Sequence, residues 1–482
     1  MKTVTIRLLL CIVSLLCLTW QAHARIGMNL AGVHDYSSQL IFVDLFKQSM
    51  PWMTRNADGT GVFNTRVAVP MQADGYPRAI PFYNGSDPPQ IAHTLMATNI
   101  AGHYPEGAYT LIFEGSGEIM LDGDAGELAL VMRFMETVSI NGLRLQSWTQ
   151  RKTVDFVTPA YDGESGSRVN PGNIEGLAME YRLALCNRLH ADLWINIPHM
   201  ANDDFVKQMA RFIHASLDPS LNIYIEYSNE IWNPGFPQAQ WARAQGIALE
   251  LSKDPVTAGR RFAADVFHIF EVEFGDSTRL VKVLGGQRAN LDVATQPLAA
   301  FNDSCLNPFG VQADALAIGA YFGGRLADEI GDAGKIKSVE VILDSLAAEI
   351  QHVVTPQIIS HMTLARAYGL HLVAYEGGQA LRAKNPRYQN NAIVTAKLHA
   401  ANRDPRMKEL YLALLDAWYQ SGGRLFCAFN YVHKFTNTGS WGTLEWTEQP
   451  IHEAPKYQAL RDYQAFMNAE PATVAMALRL TK

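Results

Sequence analysis

The feature that most constrains this chain is a recurring alternation of two patterns. Short runs of β-branched and apolar residues alternate with longer stretches whose apolar residues recur every three or four positions. Eight runs read as strands: Ile26–Val33, Leu143–Gln146, Leu193–Ile197, Ile223–Tyr227, Leu280–Leu284, Ala315–Ala320, His371–Tyr375 and Leu425–Phe429. Among the stretches between them, Glu175–Leu189, Asp203–Ser216, Ala258–Phe274, Val339–Val353 and Pro405–Gln420 carry helical periodicity. Such alternation favours parallel strands, because each parallel pair needs a long crossover that a helix supplies. Eight strands in this rhythm predict an α/β chain of the (β/α)8 TIM-barrel type rather than an open sheet. With 482 residues, 48% of them hydrophobic, the chain has material for one large core and an insertion.

Lys2 and Arg7 flank the start of an apolar run, Leu8–Leu18, and Ala22-His23-Ala24 supplies a small-x-small cleavage pattern. Residues 1–24 therefore read as a secretory signal, with a secreted or periplasmic mature chain beginning near Arg25. The barrel is expected to start within 25–57 and to occupy 127–462, leaving a terminal tail at 463–482. Residues 58–126 differ in character, being rich in Gly, Pro and short alternating segments. Ala108–Gly115 and Gly117–Gly123 read as a hairpin, so a small β-rich, sandwich-like insertion is expected there. Beyond the leader, no run approaches the roughly 20 apolar residues of a membrane-spanning helix.

Charge and cysteine content exclude several classes of function. Without Lys2 and Arg7, the 40 basic residues fall to 38 against 47 acidic ones, a net of −9, which gives no footprint for nucleic acid. Cys11 and Cys17 lie in the leader. Cys186, Cys305 and Cys427 are widely spaced, allow at most one disulfide and lack metal-site spacing. His199 with Asp203 and Asp204 has metal-like composition, but Asp203 reads better as a helix N-cap before Phe205. Asp122-Gly-Asp-Ala-Gly-Glu lacks calcium-loop spacing, and Gly285-Gly286 lacks that of a dinucleotide fingerprint. Neither a metal nor a cofactor is expected.

Two segments carry the chemistry. In Tyr224-Ile-Glu-Tyr-Ser-Asn-Glu-Ile-Trp-Asn233 an alternating strand ends at Tyr227, and Asn229, Glu230 and Trp232 follow directly. Barrel enzymes place reactive groups at the C-terminal ends of strands, which is where Glu230 falls. In His371-Leu-Val-Ala-Tyr-Glu-Gly-Gly-Gln379 an apolar strand delivers Glu376 at its exit, followed by two glycines that permit a sharp turn. Two strand-end carboxylates beside aromatics are what glycoside hydrolysis requires: a proton donor and a nucleophile or base.

Asn229-Glu230 after the fourth strand and Glu376 after the seventh resemble the clan A glycoside hydrolases, which are retaining (β/α)8 enzymes. The resemblance implies Glu230 as acid/base and Glu376 as nucleophile. Leu193-Trp-Ile-Asn-Ile-Pro-His-Met-Ala-Asn-Asp-Asp204 and Glu226–Asn233 are also similar to a bacterial group labelled cellulose-binding proteins. In the clan frame Arg144 resembles the arginine that hydrogen-bonds the nucleophile, and its charge keeps that carboxylate ionised. His199 and Tyr321 resemble polar aromatics of the innermost sugar subsite, and Asn229 a substrate-orienting amide. Trp441 resembles a stacking floor, Trp148 offers a second platform, and Trp232 an apolar wall.

The expected function is hydrolysis of a poly- or oligosaccharide with retention. A non-catalytic carbohydrate-binding protein on the same scaffold is the alternative, and an assembly protein for surface polysaccharide is a third class.

Overall fold

A computed structural model describes residues 26–29, 179–275, 278–324, 326, 338–446 and 449–468. It also describes the strand segments 53–54, 65–66, 79–81, 91–95 and 113–114. The leader, the expected strand Leu143–Gln146, Arg144, Trp148, Gly117–Gly123 and the end of the tail lie outside the described residues.

The chain enters on β1 (Ile26–Met28). Five short strands follow: β2 (Met53–Thr54), β3 (Thr65–Arg66), β4 (Ala79–Pro81), β5 (Ile91–Leu95) and β6 (Phe113–Glu114). Their pairings, β2 with β3, β4 with β5 and β5 with β6, are all antiparallel. From β7 (Leu193–Ile197) onward the paired strands are parallel and alternate with helices. Two compact units divide the chain, Gly32–Val281 with Ser304–Val311, and Met1–Ala31 with Lys282–Asp303 and Gln312–Lys482.

The first unit contains helix α1 (Met179–Leu189), β7, α2 (Asp203–Ser216), β8 (Ile223–Tyr227), α3 (Pro237–Ala248) and α4 (Pro255–Phe274). β7 and β8 pair in parallel from Leu193 opposite Ile223 to Ile197 opposite Tyr227. Ile195, Ile197, Ile223 and Ile225 are fully buried, as expected of parallel strands covered on both faces. Helix α2 begins where the periodicity places it, but its cap is Asn202, not Asp203. The Asn202 side-chain oxygen accepts from Phe205 N at 2.9 Å, leaving Asp203 and Asp204 in the first turn, where the helix dipole favours carboxylates. α4 starts three residues earlier than Ala258, because Asp254 caps Thr257 N at 2.7 Å and Pro255 suits the first helical position.

The second unit contains β1, helix α5 (Asp292–Ala300), β10 (Ala315–Phe322), α6 (Val339–Glu349), α7 (Thr355–Ala367) and β11 (His371–Gln379). Helices α8 (Pro386–Gln389), α9 (Ala392–Arg403) and α10 (Arg406–Gln420), β12 (Phe426–Ala428) and α11 (Pro455–Asn468) also belong to it among the described residues. β9 (Leu280–Gly285) crosses the boundary at Val281. Here the strand order is β1-β12-β11-β10-β9. α6 does not stop near Val353; a π-helical segment, Ile350–Val354, carries it into α7. Pro356 is tolerated because it falls in the first turn of α7.

β11 departs most from expectation. It runs four residues past Tyr375, so Glu376 lies inside the strand instead of beyond its exit. Opposite β10, Ile318 pairs with Ala374 but Gly319 pairs with Glu376, leaving Tyr375 as the extra residue of a bulge. A bulge re-aims the side chains that follow it. The two glycines serve packing, not a turn. A Cβ on Gly377 would fall 2.4 Å from Cζ of Phe426. Gly378 has φ +131°, and a Cβ there would meet the Tyr411 hydroxyl at 2.6 Å.

Candidate active site

In the first unit the site is built on the turn after β8. Ser228 and Glu230 both hold left-handed backbone angles, φ 56° and 42°, which non-glycine residues adopt at a cost. Three donors fix this turn, one on each successive carbonyl. Asn196 Nδ2 reaches Ser228 O at 2.6 Å, Gln238 Nε2 reaches Asn229 O at 3.0 Å, and Asn233 N reaches Glu230 O at 2.7 Å. Asn196 and Gln238 are buried, so losing either would strand a carbonyl without water. Asn233 also donates from Nδ2 to Glu230 Oε2 at 3.2 Å, orienting the half-buried carboxylate.

Two polar atoms in this turn are buried without a protein partner among the described residues, Asn229 Oδ1 and Trp232 Nε1. His199 follows β7, where its carbonyl accepts from the Tyr227 hydroxyl at 3.0 Å and its ring meets Trp241 edge-on at 5.7 Å. Burial lowers its pKa to about 4, so the imidazole is neutral at physiological pH.

Glu226, in the middle of β8 and 3% exposed, was not singled out by the sequence reading. Its Oε2 accepts from Trp194 Nε1 and Asn196 Nδ2, both at 3.1 Å. Burial pushes its pKa from 4.5 up to about 8; the two hydrogen bonds and Arg260 oppose the rise, and the charge of Glu230 adds to it. The folded protein thus binds this proton more tightly than the unfolded chain. The associated stability is complete below about pH 4.5 and is lost as pH rises through about 8. Glu226→Gln keeps an acceptor at the Oε2 position and cannot ionise. Thermal unfolding is expected to show the parent losing stability relative to this variant between pH 5 and 9; parallel pH profiles would show that Glu226 is already ionised at the acidic end.

In the second unit the site is built on β10, β11 and the segment after β12. Tyr321, on β10, donates its hydroxyl to Glu376 Oε2 at 2.6 Å, and Glu376 is 7% exposed. The Tyr321 ring meets Phe429 edge-on at 6.1 Å and Trp441 edge-on at 6.2 Å, while Phe429 and Trp441 meet at 5.5 Å. These rings form an aromatic corner around the carboxylate. Trp441 lies twelve positions past Phe429, yet Asn430 N donates to Trp441 O at 3.1 Å and folds the intervening loop back. Asn29, just past β1 and 1% exposed, braces the corner from behind. Its N donates to Ala428 O, its Nδ2 to Tyr375 O at 2.9 Å, and its carbonyl accepts from Tyr431 N.

The structure thus gathers Asn229, Glu230, Trp232 and His199 in one unit, and Tyr321, Glu376 and Trp441 in the other. Asn196, Glu226, Asn29 and Gln379 were missed. For Asn196 and Glu226 a signal existed, since each is a lone polar residue inside an otherwise apolar parallel strand. Among the described residues no cluster of His, Cys, Asp and Glu could hold a metal ion.

No protein-family model matches this chain, and no curated protein matches it. Similar solved structures are glycoside hydrolases. They include a GH51 arabinofuranosidase from Xanthomonas axonopodis pv. citri (TM-score 0.39, 15% identity, 65% of this chain and 62% of that one). A xylanase10C from Cellvibrio japonicus gives TM-score 0.37 at 10% identity, over 62% of each chain. A GH10 protein from Paenibacillus barcinonensis gives 0.33 at 12%, over 56% of this chain and 67% of that one. The chain spans less than two thirds of the arabinofuranosidase it matches. At these scores the likeness is coarse, and the chemical reading is built on the residues above.

Proposed function

We propose that this chain is a secreted or periplasmic retaining glycoside hydrolase on a (β/α)8 barrel with a β-rich insertion, acting on a poly- or oligosaccharide. The observation that carries the reading is the Tyr321 hydroxyl donating to Glu376 at 2.6 Å within an aromatic corner. A carboxylate that accepts a phenolic hydrogen bond is held in a fixed orientation, as a nucleophile must be. Aromatic faces beside it suit the apolar faces of a sugar ring.

In the first step a Glu376 oxygen attacks the anomeric carbon as the glycosidic C–O bond breaks, and Glu230 gives its proton to the departing oxygen. In the second, Glu230 takes a proton from water, whose oxygen displaces Glu376 from the same carbon. Two inversions return the original configuration. Asn229 orients the substrate and Trp232 offers an apolar wall, with His199 alongside. Arg144 and Trp148 belong to the proposed set through the sequence resemblance.

The test is release of new reducing ends from β-glucans, β-mannans, xylans and bacterial exopolysaccharides by the parent, Glu230→Gln and Glu376→Gln proteins. Release by the parent, lost in both variants and giving product of unchanged anomeric configuration by NMR, is the expected result. Release that survives both substitutions would show the pair to be misassigned. Binding without release from any polymer would favour a carbohydrate-binding protein.

A further inference from the structure

Arg382 lies just after β11, and its guanidinium sits 5.5 Å from the centre of the Trp441 ring. Its position is built into the fold. Gln379, completely buried, accepts from Leu381 N at 2.9 Å and donates to Ser440 O at 2.6 Å. One amide thereby ties the residue before Arg382 to the residue before Trp441. Lys456, 1% exposed, donates from Nζ to the same Ser440 carbonyl at 2.6 Å. Both neighbouring backbones are pinned, so the cation is held against the aromatic corner instead of sweeping through solvent.

In this unit Arg403 pairs with Glu445, Arg406 with Asp344 and Arg461 with Asp462, whereas Arg288 donates to Gln357 and Arg387 lies over the Tyr388 ring. Among the described residues Arg382 pairs with no carboxylate and meets only the indole. It is also half-buried. A half-buried guanidinium that faces an indole and no carboxylate keeps hydrogen-bond donors for a ligand. Its planar fork matches a carboxylate through two parallel hydrogen bonds. The net charge of −7 gives no general attraction for polyanions, so any acidic ligand must be recognised locally.

We propose that Arg382 and Trp441 form a subsite for an acidic sugar, a hexuronate whose C5 carboxylate pairs with the guanidinium while its ring lies in the aromatic corner. The subsite deepens the glycosidase reading by naming its substrate class, and it rests on that reading for turnover but not for binding.

The test uses the full chain with matched oligosaccharides: β-glucuronan, galacturonan and mannuronan oligomers, each against its carboxyl-reduced neutral form, and a sulfated glucan. Affinity is measured by calorimetry and turnover by reducing ends, for the parent, Arg382→Gln and Arg382→Lys, with folding checked by thermal unfolding. The parent is expected to prefer at least one uronate over its reduced form by about tenfold to a hundredfold. Arg382→Gln is expected to collapse that ratio towards one, and Arg382→Lys to restore part of it, since a point charge lacks the fork. A parent without preference for any uronate, a preference that survives Arg382→Gln, or equal binding of the sulfated glucan would overturn the proposal. Arg382-dependent binding without turnover would retain the subsite and sink the hydrolase reading. Glu376-dependent cleavage of neutral glycans with no dependence on Arg382 would do the reverse.

Discussion

On a glycoside with a dinitrophenolate leaving group, Glu230→Ala is expected to release phenolate in a burst and then turn over slowly. Dinitrophenolate departs without a proton, so attack by Glu376 proceeds, whereas hydrolysis of the glycosyl-enzyme lacks its base. The loss in steady rate is about 10²–10⁴-fold, the usual contribution of general acid–base catalysis. Azide attacks the anomeric carbon without base assistance, so adding it should restore the steady rate and give a glycosyl azide of the starting configuration. On an unactivated glycan both steps fall and azide brings no recovery. Glu376→Ala is expected to show no burst and, with azide, a product of inverted configuration. Stopped-flow phenolate release and NMR of the azide product read all of this. A Glu230→Ala protein indifferent to both leaving group and azide would remove Glu230 from the acid/base role.

Gly377→Ala is expected to destabilise the protein by about 1–3 kcal/mol, the usual cost of overpacking a core. The new methyl would lie 2.4 and 2.8 Å from two carbons of the Phe426 ring. Phe426 is itself fully buried and packed edge-on against Trp418 at 5.8 Å, so it has little room to retreat. Because Gly377 follows Glu376 directly, a displaced strand should also lower turnover. Adding Phe426→Leu removes the far ring carbons and should recover part of the lost stability. Denaturant unfolding of the four proteins of this cycle should show a coupling of about 1 kcal/mol or more. A Gly377→Ala protein that unfolds with the parent midpoint would contradict the packing of β11 on β12.

Much of the parallel framework was legible because its signals are local. β7, β8 and α2 match their expected ranges, since apolar runs of five residues and a capped amphipathic helix declare themselves within a few positions. β11 was misread for an equally physical reason. Glu-Gly-Gly has the composition of a turn, but what fixes those glycines is Phe426 and Tyr411, partners distant in sequence. The same limit applies to the site. Glu230 could be singled out from its place just past β8, and Glu376 as the carboxylate that follows an apolar run, although the strand carries on beyond it. Asn196, Gln238 and Gln379, which hold the neighbouring backbone, are recognisable only once tertiary contacts show which carbonyl each one meets. Arg382 is plain in the sequence as a residue but not as an arginine without a carboxylate.

The brace formed by Asn29 bears on the order in which this chain folds. The corner around Glu376 is braced by a residue bonded to Ala428 and Tyr431, far later in the chain. Ile26 N also donates to the Gln464 side chain at 2.9 Å, across 438 positions. Contacts between such distant parts of a chain form late, because the intervening loop must first be ordered. Until Asn29 has met Ala428 and Tyr431, Glu376 therefore lacks its finished surroundings. The corner around Glu376 is therefore expected to be among the last parts of the fold to close.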